Sequence, residues 1–182
     1  MFQQTFVNMT DLFYIQRPIG DPLSVQHDEL LQRELLIELR AERSSRAIPG
    51  LEELVLEWLL LQNPRADFGP YRRPLPGQTH PGLGMLKEVF GWLVVVAEVL
   101  ELDGIAYVPS NYHVAAQSRR LVSFVDPRHE AWMQALEELF TGVPLALASG
   151  LVADGKVIIE ATGEPLIWQG YAMVLPVSEK LK

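Results

Sequence analysis

A glycine-containing segment in the middle of the chain is the first place at which residue types and spacing could do chemistry. The segment QTHPGLG, residues 78–84, comes directly before a long apolar stretch that predicts a helix. The free backbone N–H groups of such a loop and the positive end of the helix dipole favour an anion, typically a phosphate. A predicted strand, GIAYVP, follows the helix and ends near Asn111. This order of elements predicts a site for a phosphate-bearing ligand.

The helix after the glycines is predicted from Met85 to Glu101. Its polar residues form one narrow stripe, so we expect it to be buried on most of its circumference and to lie on a sheet. The next strand, Ile105–Val108, should then be the parallel neighbour of the strand that precedes the loop, with a right-handed crossover between them.

Upstream of the loop, strand and helix signals alternate. The run Asp11–Arg17 predicts a strand, and Ser24 could cap a helix that reaches about Arg43, because leucines recur there at helical spacing. Leu51–Gln62 fits either a buried strand or a short helix, and we favour a strand that begins near Leu54. The segment from 63 to 81 is predicted to be a long irregular connection of the kind that often carries function.

Downstream, the pattern predicts two helices and then hairpins. A short helix is expected over Asn111–Leu121, capped by Ser110 or Asn111, and a second should start at Asp126-Pro127. From Pro144 onward, Asp-Gly and Thr-Gly pairs between apolar runs predict β-hairpins, with a last strand in GYAMVLPVS. Several large side chains are expected to face the core, namely Trp58, Trp92, Trp132, Leu136, Leu139, Phe140 and Trp168.

Bulk properties are consistent with a single domain over residues 1–182, and the order of strand and helix signals predicts an α/β fold for it. Hydrophobic residues make up 48% of the chain and charged residues 21%, which is ordinary globular composition. A net charge of −8 disfavours nonspecific nucleic-acid binding, and the lack of cysteine excludes disulfides, thiolate metal sites and a cysteine nucleophile. The N-terminus does not resemble a signal peptide, and four charged residues interrupt the longest apolar helix. We therefore expect a cytoplasmic protein that does not insert into membranes.

The order of loop, long helix, strand, Asn, short helix and aromatic strand resembles the core of the GNAT superfamily of N-acetyltransferases. In that family a strand leads into the motif Arg/Gln-x-x-Gly-x-Gly/Ala, whose backbone amides bind the pyrophosphate of acetyl-CoA. Gly82-Leu83-Gly84 matches the glycine half of the motif, whereas Thr79 occupies its first position and Pro81 removes one amide. The resemblance implies a GNAT-like mixed sheet flanked by helices, with antiparallel strands at the C-terminal end.

Later landmarks of the family are only partly present, and the resemblance covers about the middle third of the chain. Asn111 and Phe124 stand where the family has an Asn and the Phe of a Gly-Phe strand, but Ser123 replaces the Gly. The family's thiolate-protonating Tyr is absent, and Ser118 stands in its place. The resemblance implies acetyl-CoA or CoA as the cofactor, bound by Gly82, Leu83, Gly84, Met85 and Asn111.

Acyl transfer to an amine would need a base for the attacking nitrogen and a proton donor for the departing thiolate. The candidate catalytic residues are Glu57, His113 and Ser118. Glu57 lies in an apolar stretch where burial would make it a stronger base, with an outward-facing strand residue as the alternative. His113 should lie close to the ligand cleft, with a surface position on the short helix as the alternative.

Two further groups of residues allow other interpretations. His80 and His113 could meet at neighbouring strand ends and bind a metal with a carboxylate, although their spacing is not diagnostic and no metal site is predicted. The pairs Arg72-Arg73 and Arg119-Arg120 could bind a phosphate or be ordinary solvated charge.

The sequence therefore leaves two function classes open. One is an acyl-CoA-dependent N-acetyltransferase acting on a small-molecule or protein amine. The other is a GNAT-like domain without catalysis that binds a ligand or a protein partner, with a homodimer as one option. Neither nucleic acid nor a membrane is an expected partner.

Overall fold

The described part of the chain, residues 35–70 and 73–181 of a computed structural model, forms an α/β fold with a five-stranded mixed sheet. The elements, in chain order, are β1 (Ile37–Ser44), β2 (Glu53–Leu61), α1 (Leu86–Val99), β3 (Gly104–Tyr107), α2 (Tyr112–Ser118), β4 (Ser123–Phe124), α3 (Pro127–Leu139), α4 (Leu145–Ala153) and β5 (Met173–Pro176). The α/β class and the mixed sheet that the sequence predicts are confirmed.

The strand order is β1-β2-β3-β5-β4, and the pairing of its two central strands is parallel. Residues Glu53–Leu56 of β2 face Gly104–Tyr107 of β3, and α1 makes the connection between the two strands. The other neighbours pair antiparallel: β1 with β2, β5 with β3 and β4 with β5. The predicted parallel neighbourhood of β3 and the strand before the glycine loop is therefore confirmed.

The core lies where α1 packs on the middle of the sheet. Every residue of β3 is buried, which explains its uninterrupted GIAY run. Phe90, Leu93 and Ala97 of α1 are buried at helical spacing. Burial on most of the circumference of α1 was a wrong expectation, because Val95 is 54% and Val99 is 76% exposed. A helix that packs on one face of a sheet buries only the stripe of residues on that side. Within the described part of the chain, the apolar residues of α1 outside this stripe remain accessible to solvent.

The predicted helix from Ser24 to about Arg43 is wrong over its second half. Residues Ile37–Ser44 form β1, which pairs along its whole length with β2. Each residue of β1 has a cross-strand partner on β2, and this pairing overrides the local helical spacing of the leucines. The first half of that prediction and the strand at Asp11–Arg17 lie outside the described residues. The strand predicted from Leu54 is confirmed as β2.

The prediction of hairpins from Pro144 onward is wrong for its first segment. Leu145–Ala153 is helix α4, and Asp154-Gly155 ends it, with Gly155 at φ +64°. An Asp-Gly pair also suits a helix end, because glycine adopts the left-handed backbone conformation without strain. Thr162-Gly163 does lie between two bridged residues, Ile158 and Pro165. The last predicted strand is confirmed as β5.

Helix α3 begins as predicted but turns a different face to the core. The Asp126 side chain accepts a hydrogen bond from the Arg128 N–H at 2.8 Å and caps the helix. Leu136 and Phe140 are buried as expected, together with Met133. Several large residues expected in the core are instead about half exposed, namely Trp58, Trp92, Trp132 and Leu139. Among the predicted tryptophan anchors, Trp168 packs against the core and donates to the Pro109 carbonyl oxygen at 3.1 Å.

In the ranges 35–70 and 73–181, none of the helices combines the length and the apolar character needed to cross a membrane.

Candidate functional site

The glycine loop lies against the end of β2. The connection that leaves β2 returns to it, since the Asn63 N–H donates to the Pro81 carbonyl oxygen at 2.7 Å. A Cβ placed on Gly82 would lie 3.5 Å from the carbonyl oxygen of Leu61, the last residue of β2. Gly82–Met85 are therefore held at the edge of the sheet where β2 ends and α1 begins.

The backbone of this loop presents donors that the described protein does not use. No side chain caps α1 at Met85, and among the described residues the N–H groups of 82–88 have no protein acceptor. Gly84 has φ +74°, and a Cβ there would enter open space. Only glycine adopts this conformation without strain. Lys87 and Glu88 are both exposed in the first turn of α1. Their opposite charges give a net charge of zero beside the N–H groups.

Strand β2 runs on beyond its parallel partner. Its pairing with β3 ends at Leu56 and Tyr107, whereas β2 continues to Leu61 paired with β1. The β1–β2 register shifts at the same level: Arg40 faces Trp58 and Ala41 faces Leu56, which leaves Glu57 as the extra residue of a bulge. Among the described strands, none pairs with the β3 side of residues 57–61, so the backbone of these residues has no strand partner on that side.

Glu57 does not have the burial that the sequence suggested. Its side chain is exposed on the bulge, which corresponds to the outward-facing alternative. A bulge places two successive side chains in an altered direction and thereby turns Glu57 away from the core. The structure thus provides an accessible carboxylate at the point where the parallel pairing ends.

Ser118 is a buried structural residue in this fold. It is 1% exposed, and its Oγ contacts the Tyr107 hydroxyl and the carbonyl oxygens of Val114 and Ala115, the latter two at 3.0 Å each. Burial raises the pKa of Tyr107 to about 12, so this phenol stays protonated. The hydroxyl pair connects the end of β3 to the end of α2, and the Ser118 Oγ has no open path to a ligand.

His113 is neither on the surface nor open to a cleft. Its ring is 6% exposed, and its Nδ1 lies 2.9 Å from the Oγ of Ser149 on α4. Burial lowers the pKa of His113, because it removes water from the charged form. The imidazole is therefore neutral at neutral pH and connects α2 to α4. The alternative of a surface position on the short helix is therefore wrong.

Asn111 stands at the end of β3 and the start of α2, as expected. Its carbonyl oxygen accepts from the Val114 N–H at 3.1 Å, and its side-chain Nδ2 donates to the Ser110 Oγ at 3.2 Å. Asn111 is the N-cap residue of α2, as predicted, although its side chain makes no capping hydrogen bond. Asn111 is partly exposed, four residues after the end of β3.

The structure gives little support to a metal site at the histidines or to a phosphate site at the arginine pairs. The described residues contain no group of three or more His, Asp or Glu that could hold a metal ion. Arg119, which could have bound a phosphate, is paired with Glu130 and with Glu137, the latter at 3.5 Å, and is 15% exposed. Arg73 and Arg120 are exposed, and Arg72 lies outside the described residues.

Two residues that hold Ser118 and His113 in place were not predicted from the sequence. Tyr107 holds Ser118, and Ser149 holds His113. A signal was present for the second of them, because Ser149 is a hydroxyl residue within the apolar run LALASGLV and a buried hydroxyl needs a hydrogen-bond partner. Tyr107 carried no comparable signal, since tyrosine is common in buried strands.

Comparisons of the chain with protein-family models, with curated proteins and with solved structures found no match.

Proposed function

We propose that this chain is a GNAT-like protein that binds CoA or acetyl-CoA at its central loop and transfers acetyl groups slowly or not at all. The observation that carries the proposal is the parallel pair β2–β3, joined through α1 with the glycine loop at the N-terminus of that helix. Strand β5 then lies between β3 and β4, antiparallel to both, which gives a mixed sheet of the kind that the resemblance implies.

The unused donors of the loop support binding of a pyrophosphate. Backbone N–H groups at the start of a helix bind phosphates because the group dipoles and the helix dipole act together. The unpaired backbone of β2 beyond Leu56 supports binding of the rest of the ligand: the linear arm of CoA carries amides, and strand backbone without a partner can hydrogen-bond to an extended amide chain. Asn111 lies at the end of β3, where its side chain would meet that arm.

The catalytic groups support only slow transfer. Glu57 is exposed at the bulge and could accept a proton from an amine. Ser118, in the place of the family's proton-donating Tyr, is buried and bonded within the protein. General acid–base assistance is typically worth about 10²–10⁴-fold, so a site without the acid would rely mainly on proximity. The alternative function, a ligand-binding domain without catalysis, is favoured by the burial of both Ser118 and His113.

Thermal unfolding in the presence of CoA tests the binding proposal. A ligand at a hundred times its dissociation constant adds about 2.7 kcal/mol to the free energy of unfolding, so CoA should raise Tm clearly. Gly84→Ala should abolish this rise, because the methyl group enters the open space at the loop and strains the backbone. Gly142→Ala is the matched control: Gly142 has φ +77°, and its Cβ would also enter open space, but it follows α3. It should lower Tm to a similar extent and keep the CoA shift.

No Tm shift at millimolar CoA, or equal loss of the shift in both glycine variants, would contradict the binding proposal. The two function classes separate in an assay of thiol release from acetyl-CoA with a panel of amines. Release that depends on the amine and falls in Glu57→Gln supports a slow enzyme. CoA binding with no amine-dependent release supports the domain without catalysis.

A further inference from the structure

Residues 144–167 form a unit whose described hydrogen bonds are made almost entirely within it. Helix α4 is its first part, and the chain then turns back in a short hairpin that is bridged between Ile158 and Pro165. The Lys156 N–H connects this hairpin to α4, because it donates to the Leu151 carbonyl oxygen at 2.9 Å. We refer to residues 144–167 as the α4 flap. This flap has no role in the proposed function.

Within residues 35–70 and 73–181, one hydrogen bond connects the α4 flap to the rest of the protein. It joins the Ser149 Oγ on α4 to the His113 Nδ1 on α2 at 2.9 Å. In the same ranges no ion pair crosses this boundary, since the charged pair of the flap, Asp154 with Lys156, lies inside it. The other attachment is apolar, because three side chains of the flap are buried, namely Ala148, Val152 and Leu166. The closed flap therefore depends on a single polar contact.

We propose that the α4 flap is released from α2 in mild acid, when His113 takes up a proton. The His113 ring is 6% exposed, and its Nδ1 faces the uncharged hydroxyl of Ser149, which is itself 1% exposed. A charged imidazolium needs water or an anion beside it, because burial of an unpaired charge is costly. Opening of the flap gives the charged ring access to water, so protonation favours the open form.

The elements around α2 bring no acid to this ring among the described residues. Helix α4 has no titratable side chain from Leu145 to Ala153. On β3, Tyr107 stays protonated, because burial raises its pKa to about 12. On α3, Glu137 acts on Tyr112, whose pKa is raised first by burial and second by this carboxylate. Burial alone lowers the pKa of His113, so an imidazolium formed in the closed flap has no counter-ion in the described part of the chain.

The direction of the pH dependence follows from this burial. In the closed flap the pKa of His113 lies below its ordinary value of 6.5, whereas a hydrated ring in the open flap titrates at about that ordinary value. The open form therefore binds more protons as pH falls. The equilibrium constant for opening should rise by up to about tenfold for each pH unit below the ordinary pKa, until the lowered pKa of the closed form is reached. At pH 7 and above, the flap stays closed.

Hydrogen exchange of the backbone amides, measured at pH 7 and pH 5 and corrected for the intrinsic rates, tests the inference. Protection of the amides of Leu145–Ala153 should fall by about tenfold at the lower pH, while Leu93 in the buried stripe of α1 keeps its protection. His113→Asn keeps a polar δ atom beside Ser149 and removes the titration, so its flap protection should be the same at both pH values. His129→Asn is the matched control, because this histidine lies on α3 outside the flap, and the variant should retain the fall.

A measurement on the parent protein alone gives a second test. The NMR signals of the His113 ring should titrate below pH 6.5, over the same pH range in which the flap loses protection. Equal flap protection at pH 7 and pH 5 in the parent, or a fall in protection that persists in His113→Asn, would overturn the inference. So would a parallel loss of protection in α1, because acid would then unfold the whole chain rather than release the flap. None of these measurements involves CoA, so their outcome is independent of the proposed function.

Discussion

At the scale of single residues, Asp103 connects more parts of the chain than any motif in the sequence suggested. Its Oδ2 accepts from the Glu52 N–H at 3.0 Å, and its Oδ1 accepts from the Ser178 hydroxyl at 2.8 Å and from Lys180 Nζ at 3.2 Å. These bonds, first of all the one from the Glu52 backbone, lower the pKa of Asp103 below its ordinary value of 3.8. The neighbouring carboxyl of Glu53 shifts the other way, because burial raises its pKa.

Replacing Asp103 by Asn should lower Tm at neutral pH. A carboxyl whose pKa is lower in the folded chain stabilises the fold above its unfolded pKa, and this contribution is lost as pH falls through the folded pKa. The difference in Tm between Asp103→Asn and the parent should therefore be largest near pH 7 and shrink below about pH 4. Thermal unfolding across this pH range measures it.

Asp154→Asn is the control, since Asp154 is exposed and forms an ion pair with Lys156 at the surface. Surface pairs of this kind are worth little, so this variant should change Tm hardly at all. A Tm difference for Asp103→Asn that does not depend on pH would show that its charge is not what holds the C-terminal segment.

At the scale of elements, a segment was predicted correctly where the order of elements and the local composition both indicate the structure that the contacts produce. The unit β2–loop–α1–β3 was predictable because β3 is buried throughout and the glycines of the loop mark the turn before α1. Strand β1 was not, because the leucines that lead into it and Leu39 recur at helical spacing, and only pairing with β2 makes this segment extended. Helix α4 was not, because LALASGLV is apolar except for Ser149 and shows no periodic polar face.

The candidate site was less predictable than the fold, for a related reason. The loop and Asn111 could be placed from chain order, whereas the burial of Ser118 and His113 depends on residues far along the chain or on another element, Ser149 and Tyr107. Sequence spacing within one helix does not show which side chain of another element will face it.

Gly104, the first residue of β3, is a position where two elements approach too closely for a side chain. A Cβ there would lie 2.9 Å from the Leu175 carbonyl oxygen and 3.2 Å from the Val174 Cγ2, both on β5. Gly104→Ala should force β3 and β5 apart and lower the free energy of unfolding by about 1–3 kcal/mol. Chemical denaturation measures this directly.

Gly91→Ala gives the opposite expectation in a helix. Gly91 is exposed in α1 and a Cβ there meets nothing within 4 Å, so alanine should stabilise by about 0.5–1 kcal/mol. If Gly104→Ala and Gly91→Ala changed the free energy of unfolding equally, this would argue against a close approach of β3 and β5 at Gly104.

At the scale of the whole molecule, the groups that hold the fold and the groups that would bind the ligand lie at opposite edges of the sheet. Asp103 and Glu53 stand at the amino ends of the parallel strands, and Gly84 follows the carboxyl end of β2. Substitutions at well-separated sites usually add in free energy.

Combining Asp103→Asn with Gly84→Ala should therefore give the sum of the two single changes in unfolding free energy, within about 0.5 kcal/mol. The CoA dissociation constant of Asp103→Asn should equal that of the parent chain. Denaturation and calorimetric titration of the four proteins measure both quantities. A deviation from additivity larger than about 0.5 kcal/mol, or weaker CoA binding in Asp103→Asn, would mean that the two edges of the sheet are energetically coupled.

The short parallel pairing of β2 with β3 has a further consequence for motion. Strand β2 is bonded to β1 along its length, but four residue pairs alone join it to β3. The pairing with β3 therefore covers only Glu53–Leu56 of β2, and the described strands leave the β3 side of residues 57–61 unpaired. Amides on that side should exchange with solvent faster than those at Leu54 and Leu56. An extended ligand that paired with this backbone would lengthen the parallel pairing and slow that exchange, so hydrogen exchange would report binding as a local stiffening of β2.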